Sequence, residues 1–225
     1  ESLRILEGMG DYRKMLFPLS SIGSIYYNNF NDIQKAREYY EKCLSISQKV
    51  NDIYYLGNSY NNLAELYRME DKYSEALRYY QNSLENIVTV KDKYVEFLIH
   101  LNMTLTNLEM EDYNKVYTSL KYIGNEFLNS SYSGNLMDMY YHSWSEFYYF
   151  VGEYDKAAEY AKKAVEMCIR WGITENYEAH FVRLLSEIHR SGVIDWERDR
   201  EFLDRVFGEN LYKLGRTACM KLAEI

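Results

Sequence analysis

Four histidines, His100, His142, His180 and His189, are the side chains here best suited to metal ligation or acid–base work. Their spacing serves neither. His180 and His189 lie nine apart, so they do not share a helix face as paired metal ligands must. No His-Glu-x-x-His, Cys-x-x-Cys or phosphate-loop motif occurs. His100 and His142 hold similar places in neighbouring segments, which gives two imidazoles and no third ligand. An enzymatic reading would use His142, His180 and Glu146 as acid–base groups. Most other carboxylates lie at turns or beside lysine and arginine, as in EYDKAAEYAKKAVE, the pattern of a solvated helix face. The expectation is a chain without catalysis, cofactor or metal.

Charge and composition narrow the choice. The chain has 26 basic and 34 acidic residues, a net charge of −8, and no basic block. Such a surface is poorly suited to phosphate backbones, so no direct nucleic-acid contact is expected. No run of 18 apolar residues appears, so no membrane span is expected, and no leader is visible. The three cysteines, Cys43, Cys168 and Cys219, are odd in number and far apart. They fit a reducing compartment, and hence a cytoplasmic location, better than a disulfide framework. Cys43 falls where a small residue packs on a helix and is read as a buried thiol. The 25 tyrosines are read as fillers between helices with hydroxyls at the edge. A dedicated aromatic binding surface is the alternative.

Helices must position whatever these residues do. Over 73–84 the apolar positions are Tyr73, Ala76, Leu77, Tyr80 and Leu84, a stripe of helical period. Turn signals stand at Asn31/Asp32, Asn51/Asp52, Glu70/Asp71, Glu111/Asp112, Asn129/Ser130 and Gly152/Glu153. Helices are predicted over 11–29, 33–48, 52–70, 73–88, 91–109, 113–129, 134–151, 154–171 and 174–191. Two more follow over 196–207 and 209–223.

The helices repeat. Ala36, Ala76, Val116 and Ala157 hold one position in four related strings, at spacings of 40, 40 and 41. A fixed period of this size indicates stacked units, an architecture that usually holds partners. With one proline and no linker-like stretch, one continuous array over 1–225 is expected. Its parts are the end of a truncated repeat (1–10) and repeats at 11–50, 51–90, 91–130 and 131–172. The third repeat is divergent, and a degenerate repeat with a cap fills 173–225. The start at 1–7 reads as a second helix without its first. A longer parent protein is therefore expected, with possible self-association through an open N-terminal repeat end.

The pattern resembles the tetratricopeptide repeat. Leu63, Ala64, Tyr67, Tyr73, Ala76, Tyr80, Ser83 and Leu84 carry it in the second segment. Gly23, Tyr26, Ala36, Tyr40 and Leu44 carry it in the first, with one extra residue in the turn. Trp144, Ser145, Tyr148, Gly152, Tyr154, Ala157, Ala161 and Ala164 carry it in the fourth. The third departs with Thr104, Asn107 and Val116. The longer period, against 34 in the common repeat, resembles the sensor domain of the maltose-regulon activator. It also resembles the Leu-Gly-Asn repeat adaptors and the peptide-sensing repeat regulators of Gram-positive bacteria.

The resemblance implies an all-α fold, a right-handed superhelical solenoid of antiparallel helix pairs, with first helices lining a concave groove. The inward positions are then Tyr27 and Asn28; Asn58, Asn61, Asn62, Glu65 and Arg68; Asn102, Leu105 and Leu108; His142, Glu146 and Tyr149; and His180, Arg183, Glu187 and Arg190. Asn62 and Asn102 stand one repeat apart. An amide donates and accepts, so it can hold an extended peptide backbone, and the family uses asparagine that way. An open, solvated helix face would carry asparagine too. The groove charges are mixed, which disfavours an acidic-tail clamp and favours a protein or peptide of balanced polarity. The resemblance thus implies an interaction module, a scaffold or regulatory domain. Its alternative is the effector-sensing arm of a larger regulator.

Overall fold

The computed structural model describes residues 2–128 and 136–171, together with 182, 183 and 186. Regular structure among the described residues is helical. The elements are α1 (Ser2–Gly8), α2 (Tyr12–Phe30), α3 (Ile33–Val50), α4 (Ile53–Met69), α5 (Tyr73–Val90), α6 (Lys93–Glu109), α7 (Tyr113–Phe127), α8 (Met137–Phe150) and α9 (Tyr154–Trp171). These spans follow the predicted helices closely. The expected helix at 174–191 falls mostly outside the described residues, and those at 196–207 and 209–223 fall wholly outside. The chain forms two compact units, Glu1–Thr106 and Asn107–Ile225.

A two-residue device ends one helix and starts the next. The first residue takes the left-handed conformation, which lets its N–H turn back onto the helix end. The aspartate after it caps the following helix. Asn31 (φ 50°) precedes Asp32, whose carboxylate accepts from Lys35 N at 3.0 Å. Asn51 and Asp52 repeat the arrangement, with Tyr55 N as donor at 3.2 Å, and Glu111 and Asp112 do so with Lys115 N, also at 3.2 Å. Lys91 (φ 59°) and Asp92 form one the predicted turns omit, with Val95 N as donor at 3.0 Å. This turn extends α5 to Val90 and delays α6 to Lys93, two residues beyond each predicted boundary. The turn at Asp71 differs: Lys72 takes the cap position and its side chain makes no capping bond to the helix.

Helices α3, α5, α7 and α9 each bury the same stripe. Its spacing is 0, +4, +7 and +11, one face of a helix. In α3 the stripe is Ala36, Tyr40, Cys43 and Ser47; in α5 it is Ala76, Tyr80, Ser83 and Ile87. In α7 it is Val116, Leu120, Ile123 and Phe127, and in α9 Ala157, Ala161, Ala164 and Cys168. The four positions that reveal the period, Ala36, Ala76, Val116 and Ala157, are each 0% exposed. At the third position of α3 and α5 a small polar atom meets a first-helix carbonyl. The Cys43 thiol donates to Leu16 O at 3.6 Å, and the Ser83 hydroxyl to Gly57 O at 2.7 Å.

Small residues on the first helix allow this approach. A Cβ on Gly23 would lie 2.5 Å from Cε1 of buried Tyr40. Within the first unit, packing then runs from helix to helix. Met15, Leu16 and Leu19 meet Cys43 and Ile46; Ala36 and Tyr40 meet Leu63 and Leu66; and Ala64, Ala76, Tyr80 and Ile87 meet Val95 and Ile99.

Tyrosines fill the remaining gaps. Tyr67 packs on Tyr79 at 4.8 Å between ring centres, with the Arg37 guanidinium over Tyr67. In the second unit Trp144 stacks on Tyr148 at 5.3 Å, and Lys156 lies over Tyr148. Rings engaged in this way are structural fill rather than an open aromatic surface. Among the described residues no helix is long and apolar enough to cross a membrane.

Candidate functional site

The candidate groove residues lie on the first helices. In the first unit these are α2, α4 and the part of α6 up to Thr106. Each presents an outward stripe because its opposite face is committed to the second-helix stripe. On α4, Asn58, Asn61, Glu65 and Arg68 recur at helical spacing, with Asn62 beside them.

Two of the asparagines bind each other. Asn102 Nδ2 on α6 donates to Asn61 Oδ1 on α4 at 3.2 Å, and both are buried. Asn102 therefore pairs with the neighbour of Asn62, not with Asn62, its register mate in the repeat. Asn62 itself is half-buried, and no hydrogen bond engages its amide among the described residues. Asn58 donates to the Tyr54 carbonyl of its own helix at 2.9 Å.

Glu65 and Arg68 form a fixed pair. The guanidinium Nη2 donates to Glu65 Oε2 at 3.0 Å, and the Tyr80 hydroxyl donates to Glu65 Oε1. Tyr80 is fully buried. Burial foremost, and then the Glu65 charge, push its phenol pKa well above the ordinary value, so the hydroxyl stays a donor. Tyr40 holds the same place one repeat earlier, and its hydroxyl donates to Ser24 Oγ at 3.2 Å. Tyr80 thus touches a candidate groove residue, Glu65, and Ser24 holds the equivalent place one repeat earlier; sequence reasoning left both out. The signal was present, since Tyr40 and Tyr80 both stand four residues after the repeat alanine.

On α2, Tyr27 is half-buried against the cluster containing Leu63 and Leu66, and Asn28 is exposed. Leu105 is half-buried and Leu108 is buried. The repeat register that selects Asn58 and Asn28 also selects Phe17 and Met69. These are 68% and 50% exposed, apolar groups the sequence reading omitted.

In the second unit the corresponding residues His142, Glu146 and Tyr149 are buried. His142 Nε2 lies 3.6 Å from Glu146 Oε2 one turn along α8, and both are buried. Tyr149, on the same face, is buried against Tyr154 at 5.6 Å between ring centres. The Cys168 thiol donates to Asp138 Oδ2 at 3.6 Å. Arg183 is half-buried, whereas His180, Glu187, Arg190 and Cys219 lie outside the described residues. His100 belongs to the first unit, where burial lowers its imidazole pKa. Among the described residues no group of three His, Cys, Asp or Glu is placed to hold a metal ion.

This fold defines a helical-repeat protein built from antiparallel helix pairs. Residues 15–87 match the tetratricopeptide repeat family. No curated protein matches it. Aspartyl phosphate phosphatase F from Bacillus subtilis is similar in structure, with a TM-score of 0.72 over 89% of this chain at 17% identity. A signal transduction ATPase with numerous domains from Pyrococcus horikoshii, which has a tetratricopeptide repeat sensor, gives a TM-score of 0.62 over 87% of this chain at 21% identity. At these identities the likeness is one of fold. The match spans 51% of the first protein and 30% of the second.

Proposed function

We propose that the first-helix face of the first unit is a docking groove for an extended peptide or protein segment. The observation that carries this reading is Asn62, a half-buried amide with no hydrogen bond to it among the described residues, beside the Asn61–Asn102 pair. An amide so placed can accept from one backbone N–H and donate to one backbone carbonyl of a strand laid along the helices. Phe17 and Met69 supply apolar contact on the same register, and Tyr27 and Leu105 add partly covered surface. The reading is of an interaction module, without a catalytic step, whose repeats run over 11–50, 51–90, 91–130 and 131–172. In the second unit the same register carries His142, Glu146 and Tyr149.

The comparisons favour a second reading, in which the module is the sensing arm of a larger regulator. Both similar structures are longer than this chain. One is described as an aspartyl phosphate phosphatase and the other as a signalling ATPase whose sensor is this type of repeat. The two readings share one groove and differ in what the bound segment controls.

The test is capture from lysate of the source cell by the wild-type chain, Asn62→Ala and Glu85→Ala, read by mass spectrometry. Glu85 is exposed on α5, away from the first helices. The expected result is one specific protein or peptide kept by wild type and Glu85→Ala and retained at least tenfold less by Asn62→Ala. Equal retention by all three would remove the groove.

A further inference from the structure

Arginine in a peptide groove is ordinarily a site for a carboxylate, because the guanidinium fork matches its geometry. Arg68 already has one. Glu65, one turn earlier on α4, gives Oε2 to the guanidinium at 3.0 Å. Its other oxygen accepts from Tyr80, a fully buried phenol on α5. Two donors on different elements therefore hold the carboxylate in place. The Glu65 and Arg68 side chains are 18% and 17% exposed, so solvent weakens the pair less than on an open surface.

The chain supplies its own comparison. Position by position along the repeats, Glu65 corresponds to Ser24, Leu105 and Glu146, and Arg68 corresponds to Tyr27, Leu108 and Tyr149. The tyrosine hydroxyl recurs in the first repeat, where it meets Ser24, and there the second member of the pair is Tyr27. A tyrosine at this register thus does not require a carboxylate opposite it. The carboxylate recurs as Glu146 in the fourth repeat, where it lies 3.6 Å from His142 and Tyr149 stands at the arginine position; in the second repeat carboxylate and arginine coincide.

We propose that Glu65 is a built-in occupant of the Arg68 anion site and makes the groove select against acidic segments. This rests on the groove reading above and adds its charge preference. A bound carboxylate would have to share the guanidinium with Glu65 and lie beside a second negative charge. A neutral segment brings no such charge.

The probe is a fluorescently labelled tetraglutamate peptide with a free C-terminus, followed by anisotropy at low salt. The chain's net charge of −8 keeps background attraction to this probe small. Three proteins are compared: wild type, Glu65→Gln and Glu65→Gln/Arg68→Gln. Glutamine keeps an acceptor for Tyr80, and circular dichroism verifies the fold. The expected result is at least tenfold tighter binding by Glu65→Gln than by wild type, lost again in the double variant. No gain in Glu65→Gln, or a gain that survives loss of Arg68, would overturn the proposal. Should Glu65→Gln not fold, Tyr80→Phe removes one anchor of the carboxylate and must shift binding in the same direction; no shift would count against it. The groove reading fails separately, through equal partner capture by Asn62→Ala and wild type.

Discussion

Asn102 on α6 and Asn61 on α4 share one buried hydrogen bond of 3.2 Å, and it joins the first helices of successive repeats. Removing one partner leaves a polar group buried without its mate, which costs about 1–3 kcal/mol. Removing both in favour of apolar side chains of similar shape costs much less. Asn102→Ala is therefore expected to lower stability by about 1–3 kcal/mol, and Asn61→Leu/Asn102→Leu by less than Asn102→Ala alone. Urea unfolding of the two variants and the parent measures both. A double variant that loses as much as Asn102→Ala, or more, would contradict the pairing.

Gly23 faces the ring of Tyr40, and a Cβ there would come 2.5 Å from Cε1. The ring is buried and held by its bond to Ser24, so it cannot step aside cheaply. Overpacking costs roughly 1–3 kcal/mol, while alanine regains up to about 1 kcal/mol of helix propensity. Gly23→Ala is expected to destabilise by about 1–2 kcal/mol. Gly8, with nothing within 4 Å of its virtual Cβ, is the control and should tolerate alanine.

Glu111 adopts φ 59° between α6 and α7, a region that disfavours side chains with a Cβ. Glycine relieves that strain but has more freedom in the unfolded chain. The net expectation for Glu111→Gly is a gain of about 0.5–1 kcal/mol, seen as a higher urea midpoint. A loss would mean that the glutamate side chain makes a stabilising contact.

Glu70 gives a pH dependence of known sign. The Lys72 ammonium, with the Arg37 guanidinium next, holds the Glu70 carboxyl below its usual range. A carboxyl lowered on folding stabilises above its unfolded value, near 4.3. That stability is lost as pH falls through the folded value. Glu70→Gln should cost a few tenths to about 1 kcal/mol at neutral pH, for a partly exposed pair. Unfolding midpoints of variant and parent should converge as the pH drops below about 4. A constant gap down the acid arm would show that the loss is not electrostatic.

Much of the fold was legible because each repeat obeys one local pattern. Ala36, Ala76, Val116 and Ala157 reveal the period, and all four are fully buried. Asparagine before aspartate reveals the turns at Asn31 and Asn51, where both residue types favour the geometry. Lys91 and Asp92 were missed because lysine carries no such preference; only the register set by the neighbouring repeats places it. The candidate groove was legible as a set of positions but not as a set of contacts. Whether Asn102 meets Asn61 or Asn62 depends on how α4 and α6 are offset along their axes, a tertiary quantity absent from either helix alone. Phe17 and Met69 were passed over because attention to polar groups hid apolar residues on the same register.

The groove itself is tested most directly by crosslinking. A photoreactive phenylalanine analogue is placed at Asn62 in one protein and at Glu85 on the exposed side of α5 in another. Both are irradiated in lysate of the source cell, and the adducts are sequenced by mass spectrometry. The account predicts a discrete adduct at position 62, formed through one contiguous peptide segment, and none of that species at position 85. The same adducts at both positions, or a specific adduct at 85 alone, would contradict it.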